Sequence, residues 1–171
     1  MHVITFDSID STNNYLKIHH QDLPHFTVVR ARYQTAGRGQ LSRQWISNPN
    51  ENLLVSFLFK DIKSPLQVQS IEKIAISLCI SFFKAYGIQA THKLPNDILV
   101  DGKKIAGMLI ETKQMDQSFA YVILGIGINI NQRIFTGLDS ATSLHLLTRS
   151  TYDIDEVFRD FLEASRAFET M

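Results

Sequence analysis

The chain has 171 residues and a mass of 19.5 kDa, the length of one domain. With 44% hydrophobic and 20% charged residues, eight glycines and four prolines, it is neither collagen-like, disordered nor a disulfide framework. Seventeen Lys and Arg balance seventeen Asp and Glu, so no bulk basic field exists to hold a nucleic-acid backbone, which argues against a DNA-binding role. A chain of this size buries roughly 70% of its unfolded surface and needs no disulfide or structural metal.

The N-terminus reads Met-His-Val-Ile-Thr-Phe-Asp and lacks the basic and apolar segments of a signal peptide. Apolar runs stay well short of the ~20 residues that a membrane span requires. Cys79, the single cysteine, lies among Leu78, Ile80, Phe82 and Phe83 and reads as an inert buried thiol. Together these features predict a cytoplasmic protein with no membrane partner.

In chain order, residues 2–6 read as a strand, and Asp10-Ser11-Thr12-Asn13 opens a short helix. Strands are predicted over 27–33 and 53–59, with a polar, glycine-bearing loop at 34–52. The strongest helical signal covers 65–86. Ser64 is its N-cap, Pro65 its first residue, Gln67 the far side of a capping box and Gly87 its stop. Residues 88–93 read as a strand. Asp101-Gly102 reads as a hairpin turn joining 97–100 to 103–112. A long apolar strand follows over 119–130. A last helix starts near Asp153, its stripe running from Ile154 to Phe168. Several strands and few helices, without βαβ alternation, predict an α+β mixed sheet flanked by helices.

Three clusters have the composition of a ligand site. On the strand 119–131, alternation puts Tyr121, Ile123, Gly125, Gly127, Asn129 and Asn131 on one face. Two glycines there imply close approach of a ligand or tight packing under a helix. The loop Gln34-Thr35-Ala36-Gly37-Arg38-Gly39, followed by Arg43 and Trp45, is able to wrap an anion or simply be mobile. On the strand 103–112, alternation groups Lys104 with Ala106, Met108 and Ile110. A lysine on such a face either meets an anion or snorkels to the strand end, whereas Lys103 points to solvent. The six histidines show no metal-ligand spacing.

Read in order, these clusters resemble the biotin protein ligases. The resemblance rests on Asp10-Ser11-Thr12-Asn13, on the Gln34–Gly39 loop with Arg43 and Trp45, and on Pro95-Asn96-Asp97. It continues through Gly102-Lys103-Lys104-Ile105-Ala106-Gly107 to Glu111, then Gly125-Ile126-Gly127-Ile128-Asn129-Ile130-Asn131 and Ala141-Thr142-Ser143-Leu144. It implies a class II aminoacyl-tRNA synthetase-like sheet with helices on one side and ligand on the other. It also implies that ATP and biotin condense to biotinyl-5′-AMP, which a lysine of a carboxylase's biotin carrier domain then attacks. Ser11, Thr12, Asn13, Gln34, Gly37 and Arg38 would stand around biotin, with Gly107, Gly125 and Gly127 letting its rings approach the sheet. Arg38, Gly39, Gln40, Trp45, Asn96, Lys104 and Asn129 would serve the nucleotide. Lys104 and Arg38 would be the catalytic cations. Mg²⁺ would arrive with ATP, held by phosphates and water, so no protein metal ligand is assigned.

Three departures from that pattern stand out. Gln40 replaces a charged residue expected to help retain the adenylate, and Leu94 replaces a tryptophan before Pro-Asn-Asp. Residues 1–171 match the catalytic domain alone, without the small C-terminal β-barrel or a winged helix-turn-helix. The readings set beside biotin ligation are a lipoate or octanoate ligase or transferase of the same fold, and a non-catalytic biotin binder. Oligomeric state is not legible.

Overall fold

The computed structural model describes every residue except Ser42, Gln117, Leu138, Asp139 and Met171, and only the backbone of Thr170. The strands are β1 (His2–Phe6), β2 (Thr27–Ala31), β3 (Asn52–Phe59), β4 (Thr91–Lys93), β5 (Asp97–Val100), β6 (Lys103–Met115) and β7 (Ser118–Asn129). The helices are α1 (Thr12–His19), α2 (Pro65–Ala85), α3 (Leu144–Thr148) and α4 (Ile154–Ala164), followed by a 3₁₀ turn at Ser165–Thr170. One seven-stranded sheet runs in the order β1-β2-β3-β7-β6-β5-β4. Among the strand pairs of the described residues only β1–β2 is parallel, which makes it the expected mixed sheet.

Alternation along β7 divides the molecule into two layers. Val122, Leu124, Ile126 and Ile128 face α2 and α4 and join the main core with Leu53, Val55, Phe57, Ile71, Phe83 and Phe161. Tyr121 and Ile123 face the other way and pack with Leu16 of α1, Val29 and Leu58. α1 therefore packs on the face of the sheet opposite α2 and α4 rather than lying with those helices. It covers only part of that side, and a cleft opens beside it.

Local chemistry sets the element ends. Ser11, Ser64, Ser143 and Asp153 each accept a backbone N–H from the first turn of the helix they precede. Gln67 reaches one residue beyond the capping box read from sequence: its Oε1 accepts the N–H of Lys63 at 2.7 Å. Asp101 (φ 50°) and Gly102 (φ 76°) make the tight turn between β5 and β6. Phe168 does not extend the α4 stripe, because the helix ends at Ala164. It enters the core from the 3₁₀ turn, against Phe26, Phe57 and Phe59. By length and apolar content α2 qualifies as a membrane span, contrary to the sequence expectation. Its Ile71, Ala75, Leu78, Cys79, Phe82 and Phe83 are nevertheless buried against the sheet, as in a core helix.

One irregularity decides what faces the cleft. Ile98 pairs with Ala106 but Leu99 pairs with Lys104, so Ile105 is an extra residue in β6. Such a β-bulge reverses the side-chain alternation beyond it. Ile105 and Ala106 both enter the main core, and Lys104 instead lies beside Gly107. The sequence grouping of Lys104 with Ala106, Met108 and Ile110 fails for this reason.

Candidate active site

Three chain segments converge over β6 and β7. Before α1, Ile9 makes a parallel bridge to Gln34, and Thr35 and Ala36 donate their N–H groups to the carbonyls of Ile9 and Asp10. Those bonds set Ser11, Thr12 and Asn13 beside the loop that begins at Gln34. The loop folds back as a small hairpin in which Arg38 bridges Gln44 and the Trp45 N–H reaches the Gly37 carbonyl at 3.0 Å. A Cβ on Gly37 would collide with the Trp45 carbonyl oxygen, so the hairpin demands glycine there.

That hairpin lays Trp45 on the floor of the cleft. A Cβ on Gly127 would stand 2.5 Å from the indole Cε2, and one on Gly107 would stand 3.0 Å from its Cζ3. A Cβ on Gly125 would meet the Asn13 Oδ1. The three glycines thus form a strip bare of side chains of its own, against whose backbone Trp45 and Asn13 pack directly. The Trp45 Nε1–H is buried and has no partner among the described residues, which leaves a donor beside the strip.

Lys104 stands at the edge of the strip. Its Nζ lies 2.6 Å from Asp97 Oδ1 and 5.5 Å from the centre of the Trp45 ring. Its backbone is clamped as well: the N–H reaches the Ser140 carbonyl at 2.7 Å, and the carbonyl accepts the Thr142 N–H at 2.9 Å. Asn129 supports this clamp from beneath, donating Nδ2 to the Thr142 carbonyl at 3.0 Å.

A chain of polar contacts crosses the cleft wall. The Thr12 N–H donates to Gln34 Oε1 at 2.8 Å, and the Thr12 hydroxyl lies 2.6 Å from Ser56 Oγ. Ser56 donates to Asn13 Oδ1 at 2.5 Å, and Asn13 Nδ2 donates to Glu111 Oε2 at 2.8 Å. Arg38 spans Asn14 Oδ1 and Glu111 Oε1, both at 3.0 Å. The cleft these walls enclose has a volume of about 340 Å³. Among the described residues, Arg38, Arg43, Lys93 and Lys104 line it against the single carboxylate of Asp97. In a chain of zero formal net charge, that excess of cations is local and suits an anionic ligand.

Residues 5–129 match the family model of the Biotin/lipoate A/B protein ligase family. The chain belongs to that family. Among curated relatives in the biotin/lipoate ligase family, the bifunctional ligase/repressor BirA of Bacillus subtilis is 37% identical over 134 residues, 77% of this chain and 41% of that protein. The biotin--[acetyl-CoA-carboxylase] ligase of Mycobacterium tuberculosis is 32% identical over 122 residues, 68% of this chain and 44% of its own. The chain thus spans less than half the length of these two relatives. A solved biotin protein ligase of Aquifex aeolicus, in complex with biotin and ATP, superposes with a TM-score of 0.81 at 30% identity, covering 95% of this chain and 68% of that one.

Most residues singled out from sequence meet at the cleft. Ser11, Thr12, Asn13, Gln34, Arg38, Gly39, Gln40, Trp45, Asn96, Lys104, Gly107, Gly125 and Gly127 line it, and Gly37 holds the hairpin above it. Asn129 does not reach the cleft wall; it is buried under Lys104 with its amide engaged by Thr142. Asn131 leaves the glycine face altogether. β7 ends at Asn129, and the Asn131 amide pairs with both backbone groups of Tyr152. Ser42, in the part of the loop that departs from the family pattern, lies outside the described residues. Sequence reading assigned no role to Ser56, Asp97 or Glu111. Ser56 had a visible signal, as the lone hydroxyl inside the apolar run 53–59.

Proposed function

We propose that this chain activates biotin with MgATP, forming biotinyl-5′-AMP and pyrophosphate, for transfer to a lysine of a biotin carrier domain. The observation that carries this reading is the position of Lys104. A clamped ammonium stands where the glycine strip, with the Trp45 indole packed on it, meets a cation-lined mouth. Both reactants are anions, so their approach requires a fixed positive charge between them.

In the proposed step a biotin carboxylate oxygen attacks the α-phosphorus, and the bond from that phosphorus to the pyrophosphate oxygen breaks. Asp97 and the backbone clamp hold the Lys104 ammonium in place beforehand, so no reorganisation is needed as charge gathers on the phosphoryl oxygens. Arg38 supplies a second cation on the loop side. Gln34, oriented by Thr12, and the unpartnered Trp45 N–H offer polar contacts to the ring system. In the second step the carrier amine attacks the acyl carbon, loses a proton and displaces AMP.

The test is biotin-dependent exchange of labelled pyrophosphate into ATP. Lys104→Ala is expected to lower the exchange rate by a factor on the order of 100 to 1,000 while biotin still binds. Absence of exchange in the unaltered protein would refute the reading, and if biotin binding is absent as well, lipoate and octanoate would be tried as the acyl substrate.

A further inference from the structure

Glu111 is held by more charged partners than any cleft residue, yet it does not line the cleft. It lies past the β6 bulge on the same face as Lys104 and Gly107, behind the wall formed by α1 and the Arg38 loop. Its side chain is 15% exposed. Oε1 receives both Lys17 Nζ at 2.5 Å and Arg38 Nη2 at 3.0 Å, and Oε2 receives Asn13 Nδ2 at 2.8 Å. One carboxylate from the sheet therefore joins the helix that carries Asn13 to the loop that carries Arg38.

We propose that Glu111 is the positioning residue for Arg38 in nucleotide binding. The inference rests on the biotin-activation reading for the identity of the ligand, and on the contacts above for its mechanism. Two cations bonded to one oxygen repel each other once the carboxylate is neutral. Lys17 and Arg38 then separate, and the long Arg38 side chain loses one of its two anchors, Asn14 being the other. A nucleotide phosphate would have to order that side chain on binding. Asn13 keeps its bond from Ser56 in either case, so the biotin side is affected less.

Titration calorimetry with the magnesium complex of α,β-methylene-ATP at saturating biotin, on the full chain, separates this role from a structural one. Glu111→Gln is expected to weaken that nucleotide analogue about tenfold while biotin affinity changes no more than about twofold. In an Arg38→Ala background the same substitution is expected to add nothing, because its effect travels through Arg38. Glu111→Asp keeps the charge one methylene further away and is expected to give an intermediate loss. It replaces the Gln variant if that one does not fold. An unchanged nucleotide affinity, an equal loss of biotin affinity, or the same loss in the Arg38→Ala background would each overturn the proposal. Pyrophosphate exchange by the unaltered protein is measured alongside. If exchange fails but the analogue binds, the activation reading fails while the Glu111 and Arg38 variants still decide whether the one positions the other.

Discussion

A methyl group at Gly127 would have nowhere to go, because the Trp45 indole rests against the bare backbone. Gly127→Ala is expected to displace the ring at a cost of about 1–3 kcal/mol. By the proposed function, that appears as a biotin dissociation constant raised about tenfold in titration calorimetry. The glycine strip was legible in the sequence because β7 alternates without interruption from Tyr121 to Asn129, so period-two counting holds. Counting failed on the neighbouring strand, where the extra residue Ile105 turns Lys104 to the other face. No local pattern announces a bulge of that kind. The role of Glu111 was hidden for a different reason: its partners Asn13, Lys17 and Arg38 lie 98, 94 and 73 residues away in sequence.

At the scale of elements, α4 is tied to the sheet by one carboxylate. Asp155 pairs with Arg30 at 2.7 Å and Arg32 at 2.8 Å, and Arg30 stacks 4.6 Å from the Phe158 ring. The hydrogen bond from Arg32 chiefly holds the Asp155 carboxyl below its usual value, with help from Arg30 and against the cost of burial. A lowered carboxylate pKa stabilises the fold above the unfolded value and loses that contribution as pH falls through the folded one. Asp155→Asn is therefore expected to melt lower at neutral pH, by about 1–2 kcal/mol because Asp155 is half-exposed while Arg30 is buried. The gap to the unaltered protein should narrow only as pH falls below the ordinary carboxylate value of about 3.9 and on through the lowered folded one, where both carry a neutral group. Thermal melts across acid pH check this. Helix α4 itself was readable from its Asp153 cap and apolar stripe. α3 was not, since one and a half turns contain too few residues to establish a period.

For the molecule as a whole, the strand order was the least legible property. β3 pairs with β7 across an intervening helix and three strands, and nothing in a linear sequence marks that partnership. The two-layer division, by contrast, followed from alternation and from the α2 stripe. Cys79 sits in the middle of the helical layer, fully buried, and burial pushes its thiol up to about 12. It is expected to resist a thiol reagent at pH 8 in the native state and to react at the rate of whole-molecule unfolding. Labelling followed by mass spectrometry against denaturant concentration gives that rate. Rapid labelling without denaturant would mean that α2 separates from the sheet independently.

The only tryptophan in the chain is the one lying across the glycine strip, with its N–H buried and an ammonium 5.5 Å from its ring. Indole emission responds to the polarity and charge of its surroundings, and here those surroundings are the cleft itself. Light from this single residue carries no background from indoles elsewhere in the fold. A ligand that enters the strip, draws Lys104 away or gives the N–H an acceptor alters the colour or brightness of that light. The chain has a reporter of cleft occupancy built into its floor, readable on the millisecond scale without any label.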